Sequence, residues 1–196
     1  MSAIVIAPSQ VLRQTAKSVT KVDKRLLSLI ADMRQTLISA RDPVGVGLAA
    51  PQVGVPLRLF LVRPKISQEP QLFINPEIIK FSQRPQSEKK KDGVYEGCLS
   101  IPHHYAPIKR SMSVTVKYQT LTSTPPLSPP ESGGEIKKGS IEPLLIEKTA
   151  VFSGFSAHII QHEMDHLNGI LFIDHVLSQS TKLFKIQGKE WSEISL

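Results

Sequence analysis

The five residues His162-Glu163-Met164-Asp165-His166 carry the strongest chemical signal in the chain. On a helix, side chains four apart stack on one face about one turn apart, so two imidazoles can converge on one cation. Glu163 then stands roughly 100° round the helix from His162, near enough to hold a metal-bound water without ligating. That is a hydrolytic arrangement. A metal lowers the pKa of water and polarises a carbonyl, while the carboxylate moves protons. His158 precedes His162 by one more turn. It would sit about 12 Å along the axis from His166, too far for one metal with bonds of about 2 Å to take all three. His158 therefore reads as a pocket wall or a core histidine.

A catalytic tetrahedral site needs a third protein ligand. The continuation H-x-x-G-x-x-H is excluded, because Gly169 fits but Phe172 stands where the last histidine belongs. Glu190 offers a downstream carboxylate, in a lysine-rich tail (KIQGKEW) of surface character. Cys98, the only cysteine, lies in Glu96-Gly97-Cys98-Leu99-Ser100. A thiolate with two imidazoles would leave the fourth position open for water. A lone cysteine also packs well as a small buried hydrophobe, so spacing alone leaves these readings open.

Residues 45–54, GVGLAAPQVG, fit the dinucleotide pattern G-x-G-x-x-G/A through Gly45, Gly47 and Ala50. A nucleotide loop needs a strand before its glycines and a helix beginning on them. Here a helical pattern precedes them, and Pro51, Gly54 and Pro56 forbid a helix after them. No acidic residue ends a second strand where the ribose contact belongs. The nucleotide reading fails, and the glycines are expected to admit a close backbone approach, such as that of an extended ligand.

The elements that must position these groups can be read coarsely. Residues 24–39 place Leu26, Ile30, Met33 and Leu37 at helical spacing behind Asp23, a suitable N-cap. Extended runs follow at 58–62, 71–74 and 113–118, with a short one at 144–146. Residues 152–167 form a second helical pattern carrying Phe155, Ile159, His162 and His166 on one face, stopped by Asn168-Gly169. The basic run 89–91 before Asp92-Gly93 reads as a solvated loop and turn. Residues 121–143, rich in Pro, Ser and Gly, read as a long loop or hairpin inserted between strands. The expectation is an α+β fold with antiparallel strands packed around a central metal-binding HExxH helix, plus an N-terminal amphipathic helix. Residues 1–196 would form a single catalytic domain.

Composition narrows the setting. Apolar windows such as 57–62 are far too short to cross a bilayer, and residues 1–20 lack the pattern of a secretory signal. One cysteine permits no internal disulfide, which fits a reducing compartment. The net charge of +7 suits a solvated basic surface or a polyanionic neighbour such as RNA. No motif for sequence-specific nucleic-acid binding accompanies that charge.

Three motifs in order, GVGLAAPQ (45–52), EGCLS (96–100) and QHEMDHLNG (161–169), resemble the peptide deformylases of bacterial, class I-like type. The segment from Pro8 to Val19 is also similar, so the resemblance covers nearly the whole chain outside residues 121–143. It implies a cytoplasmic hydrolase that removes the N-formyl group from the formyl-methionine of newly made proteins. The implied cofactor is one divalent metal, Fe²⁺ as the usual native ion, with Zn²⁺ or Ni²⁺ as substitutes. By position, Cys98, His162 and His166 would bind it and Glu163 would be the general acid/base. The Gln52 amide and the Leu99 backbone N–H would stabilise the oxyanion. Gly47 would lie beside the formyl group. Gly45, Val46, Glu96 and Gly97 would bind the peptide in a strand-like channel, and Phe155, His158 and Ile159 would form the methionine pocket.

The resemblance implies N-formyl-methionyl nascent peptides as partners, and the net charge of +7 with Lys182, Lys185 and Lys189 separately suggests ribosome association through the basic surface. Two features depart from the family pattern. Tyr105 stands where an arginine usually anchors the peptide further along, and residues 121–143 are inserted. The competing readings are an HExxH zinc endopeptidase using Glu190 and a catalytically inactive ribosome-binding homologue.

Overall fold

Asp23 starts the first helix, its carboxylate accepting the Leu26 N–H at 2.9 Å and satisfying one of the amides a first turn leaves open. This helix, α1 (Lys24–Ser39), buries Leu26, Ile30, Met33, Thr36 and Leu37 along one stripe. The computed structural model describes residues 2–41, 43–84, 95–122 and 144–194. The basic run at 89–91 with its Asp92-Gly93 turn, and the body of the 121–143 insertion, lie outside them.

In chain order the strands are β1 (Gly47–Ala49), β2 (Leu59–Val62), β3 (Gln71–Phe81), β4 (Tyr95–Cys98), β5 (Ile101–Pro107), β6 (Ser113–Thr122), β7 (Leu144–Ser153), β8 (Leu183–Gln187) and β9 (Glu190–Ile194). Two further helices, α2 (Gly154–Leu167) and α3 (Phe172–Ser178), lie between β7 and β8. The strands form a five-stranded sheet in the order β1-β2-β3-β6-β7 and a four-stranded sheet in the order β4-β5-β8-β9. Their pairings are antiparallel. The architecture is α+β.

At β2 the five-stranded sheet is covered on both faces, which explains that strand's uniformly apolar sequence. Leu59 and Leu61 join the cluster that holds Leu26, Ile30, Met33 and Leu37 of α1. Phe60 and Val62 face the other way, into the cluster with Ala157, Ile160, Met164 and Leu167 of α2. The smaller sheet buries Cys98, Ala106 and Leu183 against Phe172 and Val176 of α3. Thus α2 is buried on most of its circumference.

Several elements differ from the sequence outline. β7 continues to Ser153, well past residue 146, because each of its residues pairs with β6 from Thr122↔Leu144 to Ser113↔Ser153. The ladder, not burial, makes it a strand, since most of its side chains are half-buried or exposed. β3 likewise runs beyond residue 74 to Phe81. The α3 helix and the β8–β9 hairpin are additions, formed from segments too short or too polar to announce themselves by periodicity.

Candidate metal centre

Two elements bring the candidate ligands together. α2 presents His162 and His166 one turn apart, their Nε2 atoms 3.2 Å from each other. Cys98 ends β4 at a register shift, where pairing passes from Gly97↔Tyr105 to Cys98↔Ile101. Its Sγ lies 3.2 Å from His166 Nε2. One donor atom from each of the three falls within 4.8 Å of the others, and all three side chains are buried. A thiolate and two imidazoles closing on one point form a donor set for a single Fe²⁺- or Zn²⁺-like ion. Burial holds the His166 imidazole well below its usual range, in the neutral form that ligation requires.

A charged web supports these ligands. Glu96 Oε1 lies 2.6 Å from His162 Nδ1, which assigns a proton to Nδ1 and would leave Nε2 to a metal; without one, burial is outweighed by Glu96 and Cys98, which hold this imidazole well above its usual range. Arg110 donates to both Glu96 oxygens, from Nε at 2.9 Å and from Nη2 at 2.7 Å. The same guanidinium donates through Nη1 to Asp165 Oδ2 at 2.6 Å, and that oxygen also lies 2.8 Å from His175 Nε2. His158 Nε2 lies 2.8 Å from Glu96 Oε2. Burial alone would push the Glu96 carboxyl up, but His162, Arg110 and His158 hold it well below the usual carboxylate range. Glu96 is therefore occupied with orienting a ligand, and both of its oxygens are taken up before any peptide could meet them.

Glu163 has a different environment. Its side chain is buried, and Oε2 has no hydrogen-bond partner among the described residues. Burial pushes its carboxyl up to about 8, with the nearby Glu96 and Asp165 charges adding to the rise and His162 opposing it. Gly47 makes room for it, since a Cβ there would lie 2.0 Å from Glu163 Oε1 and 2.8 Å from Ile159 Cγ2. Gln52, in the short 3₁₀ turn Ala50–Val53, is locked by the Ala49 N–H donating to its Oε1 at 2.8 Å. That fixes the amide so that Nε2 faces Cys98 Sγ at 3.4 Å and Ser100 Oγ at 3.3 Å.

A cleft of about 200 Å³ opens over this group. Val46, Gly47, Gln52, Glu96, Gly97, Leu99, Phe155, His158 and Ile159 all line it, together with Cys98, His162 and Glu163. Gly45 lies apart from that lining. A Cβ there would press 2.5 Å from the Leu37 carbonyl oxygen, so this glycine allows the chain to pass close to α1. The Tyr105 ring lies over Gly97, where a Cβ would come within 2.6 Å of it. Glu190 is exposed on β9 and has no place in the ligand cluster. Sequence reasoning assigned nothing to Arg110, Asp165, His175 or Ser100. The arginine and its acids come from separate elements, and only proximity in the fold relates them.

Residues 1–126 and 144–182 match the family described as polypeptide deformylase. The peptide deformylase of Agrobacterium fabrum is 38% identical over 176 residues, 88% of this chain and 85% of the relative. That of Pseudothermotoga lettingae is 38% identical over 179 residues, covering 91% and 84% of the two chains. The Thermotoga maritima peptide deformylase structure superposes with a TM-score of 0.66 at 34% identity, over 89% of this chain and 97% of that one. The Synechococcus elongatus peptide deformylase in complex with actinonin gives a TM-score of 0.66 at 34% identity, over 89% and 79%.

Proposed function

The chain belongs to the polypeptide deformylase family of metal-binding hydrolases in protein biosynthesis, and we propose that it strips the formyl group from N-formyl-methionyl nascent peptides with Glu163 as proton carrier. The observation that carries this reading is the convergence of Cys98, His162 and His166 beside a buried carboxylate oxygen without a partner among the described residues. Cys98, His162 and His166 would hold one divalent ion, Fe²⁺ in the cell, with Zn²⁺ or Ni²⁺ as replacements. When bound, the ion supplies Lewis-acid polarisation and lowers the pKa of water.

The chain's own residues supply the rest. Glu163 takes up a proton at Oε2 and returns it to the departing amine, a task suited to a buried carboxyl whose Oε2 has no partner among the described residues. Gln52 Nε2, held by the Ala49 contact, donates to the developing oxyanion, with the Leu99 N–H as second donor. Val46 and Gly97 border an extended peptide through their main chains, which recognises a nascent chain regardless of its sequence. Phe155, His158 and Ile159 receive the methionine side chain. Residues 1–196 would work as one catalytic domain in the cytoplasm, with ribosome contact through Lys182, Lys185 and Lys189.

Formyl-Met-Ala turnover by anaerobically purified protein, with metal analysis of the same sample, tests the reaction. Formate release should be stoichiometric with substrate loss, and Glu163→Ala should lose activity while keeping its metal. A metal-loaded wild type that releases no formate would refute the assignment. Co-sedimentation with ribosomes that survives charge reversal at the three lysines would remove the tail contact alone.

A further inference from the structure

The β4-β5-β8-β9 sheet has two chemically different faces. Register pairs Gly97 with Tyr105, Tyr105 with Phe184, and Ile186 with Trp191. Because residues two apart share a face, Tyr95, Gly97, Tyr105, Phe184, Ile186 and Trp191 stand together on one side of the sheet. Glu96 and Cys98 project from the opposite side, toward the metal ligands. The aromatic side is an ordered cluster. Trp191 meets Tyr95 at a centroid distance of 5.0 Å and 68°, Tyr105 at 5.6 Å and 40°, and Phe184 at 6.0 Å and 61°. Even so, Trp191 remains 49% exposed and Tyr95 38% exposed.

This cluster is continuous with the cleft, because Tyr95, Gly97 and Tyr105 line both. A peptide held beside Gly97 in extended form and leaving the cleft along this wall passes onto the aromatic surface. Its side chains alternate faces, so every second residue would point at the rings. Resting on the deformylase reading, we propose that the C-terminal hairpin forms an aromatic platform, centred on Trp191, that binds apolar or aromatic side chains of the nascent peptide beyond its second residue. Trp191 is then a positioning residue. It touches none of the reacting atoms, and it holds the part of the substrate that the first two residues do not define. Main-chain pairing makes the cleft indifferent to sequence, whereas the platform would favour chains with an apolar third or fourth residue. Tyr105 takes part by joining the cleft wall to the rings.

The test compares holoenzyme kinetics on formyl-Met-Ala, formyl-Met-Ala-Phe-Phe and formyl-Met-Ala-Gly-Gly. Wild-type turnover of formyl-Met-Ala establishes the underlying reaction independently of the platform. The Phe-Phe peptide should then show a KM below that of the Gly-Gly peptide by roughly three- to tenfold, the size expected for one or two aromatic contacts. Trp191→Ala should erase that ratio through KM, with kcat on all three peptides kept, and Trp191→Phe should restore much of it. A general loss of structure would lower turnover of all three peptides together and leave the ratio intact. The chain has a single tryptophan, so its fluorescence reports on this position alone. In single-turnover mixing, emission should change with the Phe-Phe peptide and stay constant with the Gly-Gly peptide. Equal KM values for the two tetrapeptides in the wild type, or an unchanged ratio in Trp191→Ala, overturns the platform while leaving deformylation standing.

Discussion

At Gly47 a single added carbon decides whether Glu163 can stay where it is. A methyl group there would fall 2.0 Å from Oε1, so the carboxylate must rotate away while the metal ligands need not move. Gly47→Ala should therefore lower kcat by on the order of 10²-fold, the usual consequence of misplacing a reacting group by about 1 Å. Metal content should hold, and steady-state kinetics with metal analysis checks both. Glu163 also sets a pH dependence of stability in the metal-free protein. Its carboxyl titrates at about 8 when folded and near the ordinary 4.5 when unfolded. Between those values the unfolded chain has lost a proton that the native chain keeps, so stability falls as pH rises. The penalty is absent below 4.5 and complete above about 8. Metal-free Glu163→Gln should accordingly gain in Tm over the metal-free wild type as pH rises from about 5 to 8. A constant difference would place the carboxyl in a more polar setting. Ligand identity is tested by one pair of variants: Cys98→Ser should lose metal and Glu190→Gln should retain it, as atomic absorption would show.

Elements differ in how openly the sequence declares them. The α1 helix is legible because its signals are local: Asp23 caps it, and Leu26, Ile30, Met33 and Leu37 mark its buried stripe. β2 is legible as an apolar run, but which residue faces which helix depends on layers that form later. β7 and β9 are strands because of their main-chain ladders to β6 and β8, and β8 also pairs with distant β5, so the mostly exposed side chains of β7 and β9 carry little signal. Gly45 shows the same limit. It sits in a motif whose glycines all look alike, yet its missing side chain faces α1, with the Leu37 carbonyl oxygen at 2.5 Å and the Ala40 Cβ at 3.0 Å from a built Cβ. Backbone atoms of a packed helix cannot swing aside, so Gly45→Ala should cost about 1–3 kcal/mol of stability, as overpacking does. It should leave kcat and metal content near wild type, the reverse of Gly47→Ala. Denaturant unfolding of both variants, set beside their kinetics, separates the two glycines. A Gly45→Ala protein with normal stability and depressed kcat would return this residue to the substrate channel.

The molecule as a whole is joined at the metal centre by Arg110. This buried guanidinium ties Glu96 of β4 to Asp165 of α2, and Asp165 in turn meets His175 of α3. The sequence separations are 14 residues to Glu96 and 55 to Asp165. These partners come from separate elements and no local motif links them, which is why the HExxH motif could be read directly while its support could not. Removing one member of a buried charged web leaves the others unpaired, and the usual cost is about 3–5 kcal/mol. Arg110→Met should reach that range by denaturant unfolding, because Glu96 and Asp165 would both lose a charged partner. It should also weaken metal retention by roughly 10- to 100-fold, since Glu96 would no longer be fixed against His162 Nδ1. Arg110→Lys keeps the charge but lacks the planar fork that meets Glu96 with two nitrogens, so it should recover only part of either loss. The metal measurement separates support of the site from mere scaffolding. Arg110→Met that is destabilised yet binds metal as tightly as wild type would confine Arg110 to holding the layers together. Loss of both would mean that the fold and the ligand geometry depend on the same buried charge.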